Sequence, residues 1–309
     1  MADNSARPIR VICGPTAAGK TSAAFWFAQR VRIAIISADS RQLYRGFDVG
    51  TAKPTREEQS RVQHYGIDVL EPTERSSAAW WAEHADAWID IAVANGQTPV
   101  VVGGTGLYVR SLFGSLFEEP ELDSSRRTAL QAFIDHLTTD ELKRWVRELD
   151  PSRAHLGRTQ LLRAVEIALL TGSRVSDLHR VNARPPRRTA KYLVVDPGLV
   201  LAERIADRAR GMIAGGWMNE VRGLMESSAD DAPAWNASGY GTIREAVQGR
   251  ITPQVAVARV IVETRQYAKR QRTWFRHQLA SDDVTRLSTD QSDWAERAMA
   301  WWSEGESDT

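Results

Sequence analysis

Short apolar runs, separated by glycine turns and amphipathic stretches, set the rhythm of the first hundred residues. Residues 9–13, 33–37 and 98–102 are short, mostly apolar runs rich in valine and isoleucine, the pattern of strands buried on both faces. Residues 67–70 read as a shorter strand, with His64 just before it and Asp68 inside it. Residues 22–31 and 77–94 repeat their apolar positions at helical spacing, and Asn95-Gly96 stops the second helix. Strand, glycine turn, helix, strand, helix, strand is the order of a parallel sheet with crossover helices. An α/β fold is therefore expected.

After Phe117 the pattern changes. Residues 118–150 begin acidic and continue as helical stretches. The segment 153–188 then turns basic, with Arg153, Arg158, Arg163, Arg174, Arg180, Arg184, Arg187 and Arg188 facing only Glu166 and Asp177. Strand character returns at 192–195, and helical periodicity follows at 199–214 and 216–227. A Pro/Ala/Gly-rich connection spans 228–241, and one long helix runs from Pro253 to Gln278. The expected division is a core begun by 1–117, a mostly helical insert at 118–184, a second core part at 185–278, and an acidic polar tail at 279–309 around one short amphipathic helix. On the long helix Arg265, Lys269, Arg272 and Arg276 share one face, while Val260, Tyr267 and Trp274 share another suited to packing.

A chain of 309 residues can bury a large core and carry a smaller insert. Its formal net charge of +1 does not speak for or against a polyanionic partner, so that question falls to the two local basic patches. Together they predict a groove for a phosphate backbone. The single cysteine, Cys13, lies in the first strand; it excludes a disulfide framework and a cysteine-built metal site, and fits a reducing compartment. The polar start MADNSARPIR runs straight into a strand, and no apolar run reaches membrane-spanning length, so a cytoplasmic chain without a membrane is expected.

The chemistry begins at GPTAAGKT, residues 14–21, which completes the pattern G-x-x-x-x-G-K-[ST] between a strand and a helix. Backbone N–H groups along Gly14, Thr16, Ala17, Ala18 and Gly19 would wrap an anion, assisted by the positive end of the following helix. Lys20 adds a point charge, and Thr21 offers a hydroxyl to a divalent cation. The second strand ends at Asp39, and the strand at 98–102 ends in Gly103-Gly104-Thr105-Gly106 rather than in a carboxylate. Both segments emerge at the carboxyl edge of the sheet beside the phosphate loop. A carboxylate there can take a proton from an incoming acceptor while the loop holds a phosphate group. A small-molecule kinase meets that description, and so does a transferase whose leaving group is diphosphate.

Taken together, GPTAAGKT (14–21), DSRQLYRG (39–46), VGTAKP (49–54), VVVGGTGLYVRSL (100–112), LLRAVEIALLTG (161–172) and ETRQYAKRQRTWFR (263–276) resemble the tRNA dimethylallyltransferase, or tRNA isopentenyltransferase, family. The resemblance implies a P-loop NTPase-like parallel sheet core with the helical insert. It implies transfer of a dimethylallyl group from dimethylallyl diphosphate to the exocyclic amine of the adenine just 3′ of the tRNA anticodon. The phosphate loop would then hold the diphosphate of the prenyl donor, with Lys20 and magnesium at Thr21 stabilising the leaving charge, and Asp39 acting as general base. Arg265 would contribute near the diphosphate. Asp39, Ser40, Arg41, Gln42, Thr105, Arg127, Thr159, Gln160, Leu161, Leu162, Arg163, Lys269 and Arg270 would lie at the tRNA. A stacked adenine cannot be alkylated, so the base would be flipped out of the anticodon stem-loop, and gripping one stem-loop requires only a monomer. Prenylation of a free adenine nucleotide, and RNA binding without catalysis, are the neighbouring alternatives. Two segments depart from the family pattern: HLGRTQLLRAVE (155–166) replaces an H-P-N-D-x-x-R lead-in, and Gly239-Tyr240 is followed by Gly241-Thr242 where a cation and a polar partner are usual. Arg244, one helical turn on, is the residue that could stand in for the cation.

Overall fold

The computed structural model describes residues 7–114, 120, 122–181, 186, 188–279 and 284–304. The chain forms two compact units, one from Met1–Phe113 with Arg187–Thr309 and the other from Gly114–Pro186.

The first unit opens with β1 (Ile9–Cys13), α1 (Lys20–Ala28), β2 (Ile33–Ser37), α2 (Arg56–Arg61), β3 (Gln63–Tyr65), α3 (Ala78–Ala94), β4 (Thr98–Gly103) and α4 (Gly106–Phe113). The second unit holds α5 (Ser124–Ile134), α6 (Thr139–Leu149), α7 (Arg158–Thr171) and α8 (Val175–Val181). The first unit resumes with β5 (Ala190–Val195), α9 (Leu201–Ala214), α10 (Trp217–Ser227), α11 (Tyr240–Val247), α12 (Pro253–Gln278), β6 (Val284–Leu287) and α13 (Trp294–Ser303).

All pairings in the sheet are parallel, in the order β3-β2-β4-β1-β5-β6. β1 is central, with Ile12 beside Val102 of β4 on one side and Leu193 of β5 on the other. Every residue of β2 is buried, as are the last five of β4, because helices cover both faces. The turn after β1 must pass close under β5. A Cβ on Gly14 would lie 2.2 Å from the Val195 carbonyl oxygen, and its φ of 143° disfavours any side chain.

Two expectations need correction. The strand expected at 67–70 lies instead at 63–65, and the later segment contributes only a single bridge from Leu70 to Tyr44. Glycine at 66 and the left-handed Asp68 (φ 54°) break the extended run that its apolar residues suggested. The polar tail expected at 279–309 also fails, because β6 extends the sheet beside β5 and α13 drives Trp301 and Trp302 into the core. Phe27 of α1 stacks on Trp302 with centroids 4.6 Å apart and meets Trp301 at 5.7 Å. At about 25 cal/mol per Å² and 150–250 Å² for an aromatic side chain, each tryptophan contributes up to about 4–6 kcal/mol of burial. The acidic residues that dominate this stretch lie between the apolar anchors.

The helical unit has its own core, built from Ile134, Leu142, Val146, Leu161, Ala164, Val165, Ile167 and Val175. Thr138 and Glu141 form a reciprocal cap at the start of α6, and Gly172, left-handed at φ 72°, ends α7. Glu166, 3% exposed, accepts hydrogen bonds from Arg127, Arg163 and Gln131. Burial alone would raise its carboxyl, but the two arginines hold it below the usual carboxylate range.

Candidate active site

The phosphate loop joins β1 to α1 as expected. Ala17 and Gly19 both take left-handed φ values, 61° and 97°, the alternation that forms an anion nest, while the Ala18 N–H donates to the Pro15 carbonyl at 3.3 Å. Gly19 caps α1 without a side-chain bond, so the first-turn N–H groups of Lys20 and Thr21 keep their donors for a ligand. Lys20 Nζ donates to the Pro15 carbonyl at 2.8 Å. Burial lowers its pKa to about 8; Asp39 pulls back upward and Arg208 adds to the fall. Burial pushes the Cys13 thiol up to about 12, so it is a core residue and no nucleophile at neutral pH.

Asp39 follows β2 at the same sheet edge. One carboxylate oxygen accepts the Arg41 N–H at 2.9 Å, a local Asx turn that leaves the other oxygen free for a ligand. Thr105 fastens this loop to the turn after β4: its N–H donates to the Ala38 carbonyl at 3.1 Å, and its hydroxyl accepts the Ser40 N–H at 3.1 Å. Gln42 is occupied structurally. Its carbonyl oxygen accepts the Ser37 hydroxyl at 3.0 Å, and its amide donates to the Ala52 carbonyl at 3.2 Å. Arg41 lines the cavity described below.

A cavity of about 440 Å³ lies over the loop and is lined by Lys20, Thr21, Asp39, Arg208, Tyr267 and Gln271 among others. A smaller one, about 70 Å³, is walled by the apolar side chains of Ile205, Ala209, Met212, Trp217 and Val260. Thr16, Asp39, Arg208 and Tyr267 line both. The anion nest and the apolar pocket therefore share a wall, and the carboxylate stands in it. Tyr267 from α12 meets Thr105, and its hydroxyl is pushed up to about 12, first by burial and then by Asp39.

Arg208 is the residue that the linear pattern did not expose. It projects from α9 to within 3.5 Å of the Thr16 hydroxyl, and no described carboxylate lies in ion-pair range. Burial lowers its pKa below the ordinary arginine range, and the field of Asp39 offsets part of that. The available signal was its setting: Leu201, Ile205, Ala209 and Met212 form an apolar stripe on α9, and Arg208 interrupts it. Gln271 is similar, a polar side chain 7% exposed on a stripe with Val260, Ala268 and Phe275.

Several expected residues lie elsewhere. Arg265 donates to the Ala202 carbonyl at 3.2 Å at the start of α9 and lines neither cavity. Arg272 grips the Asp196 carboxylate, so the stripe of four free cations on α12 is reduced to exposed Arg265, Lys269 and Arg276. Arg270, also exposed, reaches over the Tyr267 ring at 5.8 Å. Arg244 pairs with Asp230 and lies over Trp235, so it does not replace the absent cation. Leu161 is fully buried and Leu162 packs beside it, whereas Thr159 and Gln160 are exposed. The basic segment is partly consumed: Arg163 pairs with Glu166, Arg180 with Asp177, and Arg188 with Asp86 and Asp90. Arg184 and Arg187 lie outside the described residues.

A divalent cation fits this edge in one way. Among the described residues no group of three or more His, Cys, Asp or Glu side chains could hold a metal. The Thr21 hydroxyl borders the cavity on the exposed first turn of α1, so a magnesium ion there would draw its remaining oxygens from diphosphate and water. Among the described residues no helix is long and apolar enough to cross a membrane.

The family described as IPP transferase matches residues 42–278, and that described as isopentenyl transferase matches residues 7–69. A tRNA dimethylallyltransferase of Gloeobacter violaceus is 40% identical over 277 residues, 87% of this chain and 89% of its own. One from Anaeromyxobacter sp. (strain K) is 41% identical over 273 residues, 86% of this chain and 89% of its own. The crystal structure of a tRNA isopentenylpyrophosphate transferase from Bacillus halodurans superposes with a TM-score of 0.66 at 32% identity, covering 95% of this chain and 93% of that one. A eukaryotic dimethylallyltransferase acting on tRNA shares the fold, with a TM-score of 0.78 at 23% identity, over 96% of this chain and 78% of its own. With phosphate loop, carboxylate, apolar pocket and half-buried arginine assembled on one sheet edge, this chain belongs to the IPP transferase family, the tRNA dimethylallyltransferases.

Proposed function

We propose that the protein transfers the dimethylallyl group of dimethylallyl diphosphate to the exocyclic amine of an adenine in tRNA, releasing diphosphate. The finer reading puts that adenine immediately 3′ of the anticodon, in an opened stem-loop. The observation that carries the proposal is the wall shared by the anion nest and the apolar pocket, with Asp39 in it. A diphosphate bearing a short branched hydrocarbon needs one polar and one apolar compartment in contact, and the acceptor must meet the carbon that joins them.

In the reaction the bond between the donor's first carbon and its bridging oxygen breaks, and a bond from that carbon to the adenine nitrogen forms. The amine proton passes to the Asp39 carboxylate, held in place by the Arg41 N–H. Charge grows on the departing diphosphate. The inward N–H groups of the loop, Lys20 and Arg208 face that charge before it develops, so little reorganisation is needed. Magnesium at Thr21, when bound, supplies Lewis-acid neutralisation of the same anion. A neutral adenine amine is a weak nucleophile, so alignment by Thr105 and the 38–40 loop supplies a large share of the acceleration. For tRNA, exposed Lys269, Arg270, Thr159 and Gln160 remain available, whereas Arg127 is engaged by Glu166, and one copy of the chain suffices.

The test offers unmodified tRNA and AMP separately with labelled dimethylallyl diphosphate and magnesium, and maps the label. Label on the tRNA adenine is the expected result. Phosphate transfer from ATP with no prenyl transfer overturns the assignment, and label on AMP alone moves it to free-nucleotide prenylation.

A further inference from the structure

Gln271 lies between the two halves of the site. Its side-chain oxygen accepts the N–H of Thr16, the third residue of the phosphate loop, at 2.8 Å. Its amide nitrogen donates to the Gly104 carbonyl in the turn after β4, also at 2.8 Å. The residue is 7% exposed, and a Cβ on Gly104 would fall 2.4 Å from the amide nitrogen, so the fit is close on that side. The amide has one orientation here. Turned over, it would set N–H against N–H and oxygen against oxygen. An ionised carboxylate or an apolar side chain cannot make both bonds.

We propose that Gln271 is a positioning residue for group transfer, setting the distance between the diphosphate cradle and the turn that aligns the acceptor. Two consequences support this. By taking the Thr16 N–H, Gln271 removes the first inward donor of the loop and confines the anion to the donors further along, up to Thr21. By holding Gly104, it fixes the turn whose next residue, Thr105, binds Ser40 beside Asp39. The leaving group and the general base are thus tied through one side chain of α12, and Arg272, the next residue, anchors that helix on Asp196 at the end of β5. Gln271 touches neither reacting atom. It acts through the loop and the turn, where a displacement of about 1 Å is enough to cost about a hundredfold in rate.

The inference rests on the prenyl-transfer reading, and the experiment separates the two. Wild type, Gln271→Met and Gln271→Glu are compared for kcat, for KM of the donor and of tRNA, for calorimetric affinity for inorganic pyrophosphate with magnesium, and for thermal midpoint. Failure of the wild type to prenylate tRNA defeats the functional reading, whatever the variants do. With an active wild type, Gln271→Met should lose about 30-fold or more in kcat, while both KM values and pyrophosphate affinity stay within about threefold. Gln271→Glu should behave likewise at about pH 8, then recover relative to wild type as pH falls towards about 6. A protonated carboxyl beside the Gly104 carbonyl restores both bonds. A kcat for Gln271→Met within about threefold of wild type overturns the proposal. So does a loss matched by weakened pyrophosphate binding and a collapsed thermal midpoint, or a pH-independent ratio for Gln271→Glu.

Discussion

Replacing Arg208 with methionine should move activity and stability in opposite directions. The side chain extends from an apolar stripe of α9 to the Thr16 hydroxyl, with no described carboxylate in ion-pair range. Removing a poorly compensated, half-buried charge, while keeping the length and volume of the side chain, relieves part of a desolvation cost that reaches several kcal/mol for a fully buried ion. The cleft admits some water, so the expected gain is discounted to about 1–2 kcal/mol. For a unit of this size that raises the thermal midpoint by roughly 2–8 °C. The opposite term appears when diphosphate is present. A unit charge about 4 Å from the anion is worth about 4 kcal/mol at an effective dielectric of 20, of which a conservative half is about 2 kcal/mol, or about thirtyfold. Arg208→Met should therefore lose at least about thirtyfold in kcat/KM for the prenyl donor. Scanning calorimetry with and without magnesium pyrophosphate reads both terms. A variant that is less stable without ligand, and still gains the full wild-type shift from pyrophosphate, would refute the assignment of Arg208 to the leaving group.

Three further outcomes follow from the same geometry. Asp39→Ala should bind tRNA within about threefold of wild type by filter binding but lose about 10²–10⁴ in single-turnover transfer; an equal loss in both would remove its role as base. Lys20 titrates near 8 in the free site, and an anion favours its protonated form, so pyrophosphate affinity should fall above about pH 8 relative to a Lys20→Arg control that stays charged. Without ligand the sign reverses: the unfolded chain binds the Lys20 proton more tightly, so this group adds stability as pH rises from about 8 to 10.5. Calorimetry across that range checks both, and an affinity ratio that does not change with pH would contradict the burial of Lys20. Trp301→Ala should cost about 3–5 kcal/mol in urea unfolding, because Trp301 is 1% exposed against Phe27; an unchanged midpoint would restore the view of a dispensable tail.

The parts of the fold that could be read from the sequence are those governed by local rules. Short runs rich in valine and isoleucine identify β1, β2 and β4, a glycine-rich pattern marks the anion loop, and Thr252 with Pro253 marks the start of α12. β6 and the deep burial of α13 escape those rules, because Val284–Leu287 is a strand only by virtue of its neighbour β5, and Trp301 is core only because Phe27 waits for it. The site divides in the same way. Lys20, Thr21 and Asp39 stand next to elements that define them. Arg208 and Gln271 reach the same edge from helices placed by tertiary packing, and their sequence neighbours are ordinary. Cation counting misled for a related reason. Arg163, Arg188 and Arg272 meet Glu166, Asp86 with Asp90, and Asp196, partners that lie 3, 102, 98 and 76 positions away, and only the first of these is within sight of a helical turn.

The central place of β1 also bears on how the chain is made. Ile9–Cys13 leaves the ribosome before either of its neighbours, and pairs with residues 98–103 and 190–195. At roughly 5–20 residues per second, β1 waits about 10–40 s for β5. During that interval an apolar strand and its phosphate loop have an open edge, while the helical unit, whose contacts are local, can already close on its own core. The phosphate loop is thus synthesised well before the strand that completes its surroundings. Chaperone protection during translation should matter most between the emergence of β1 and that of β5.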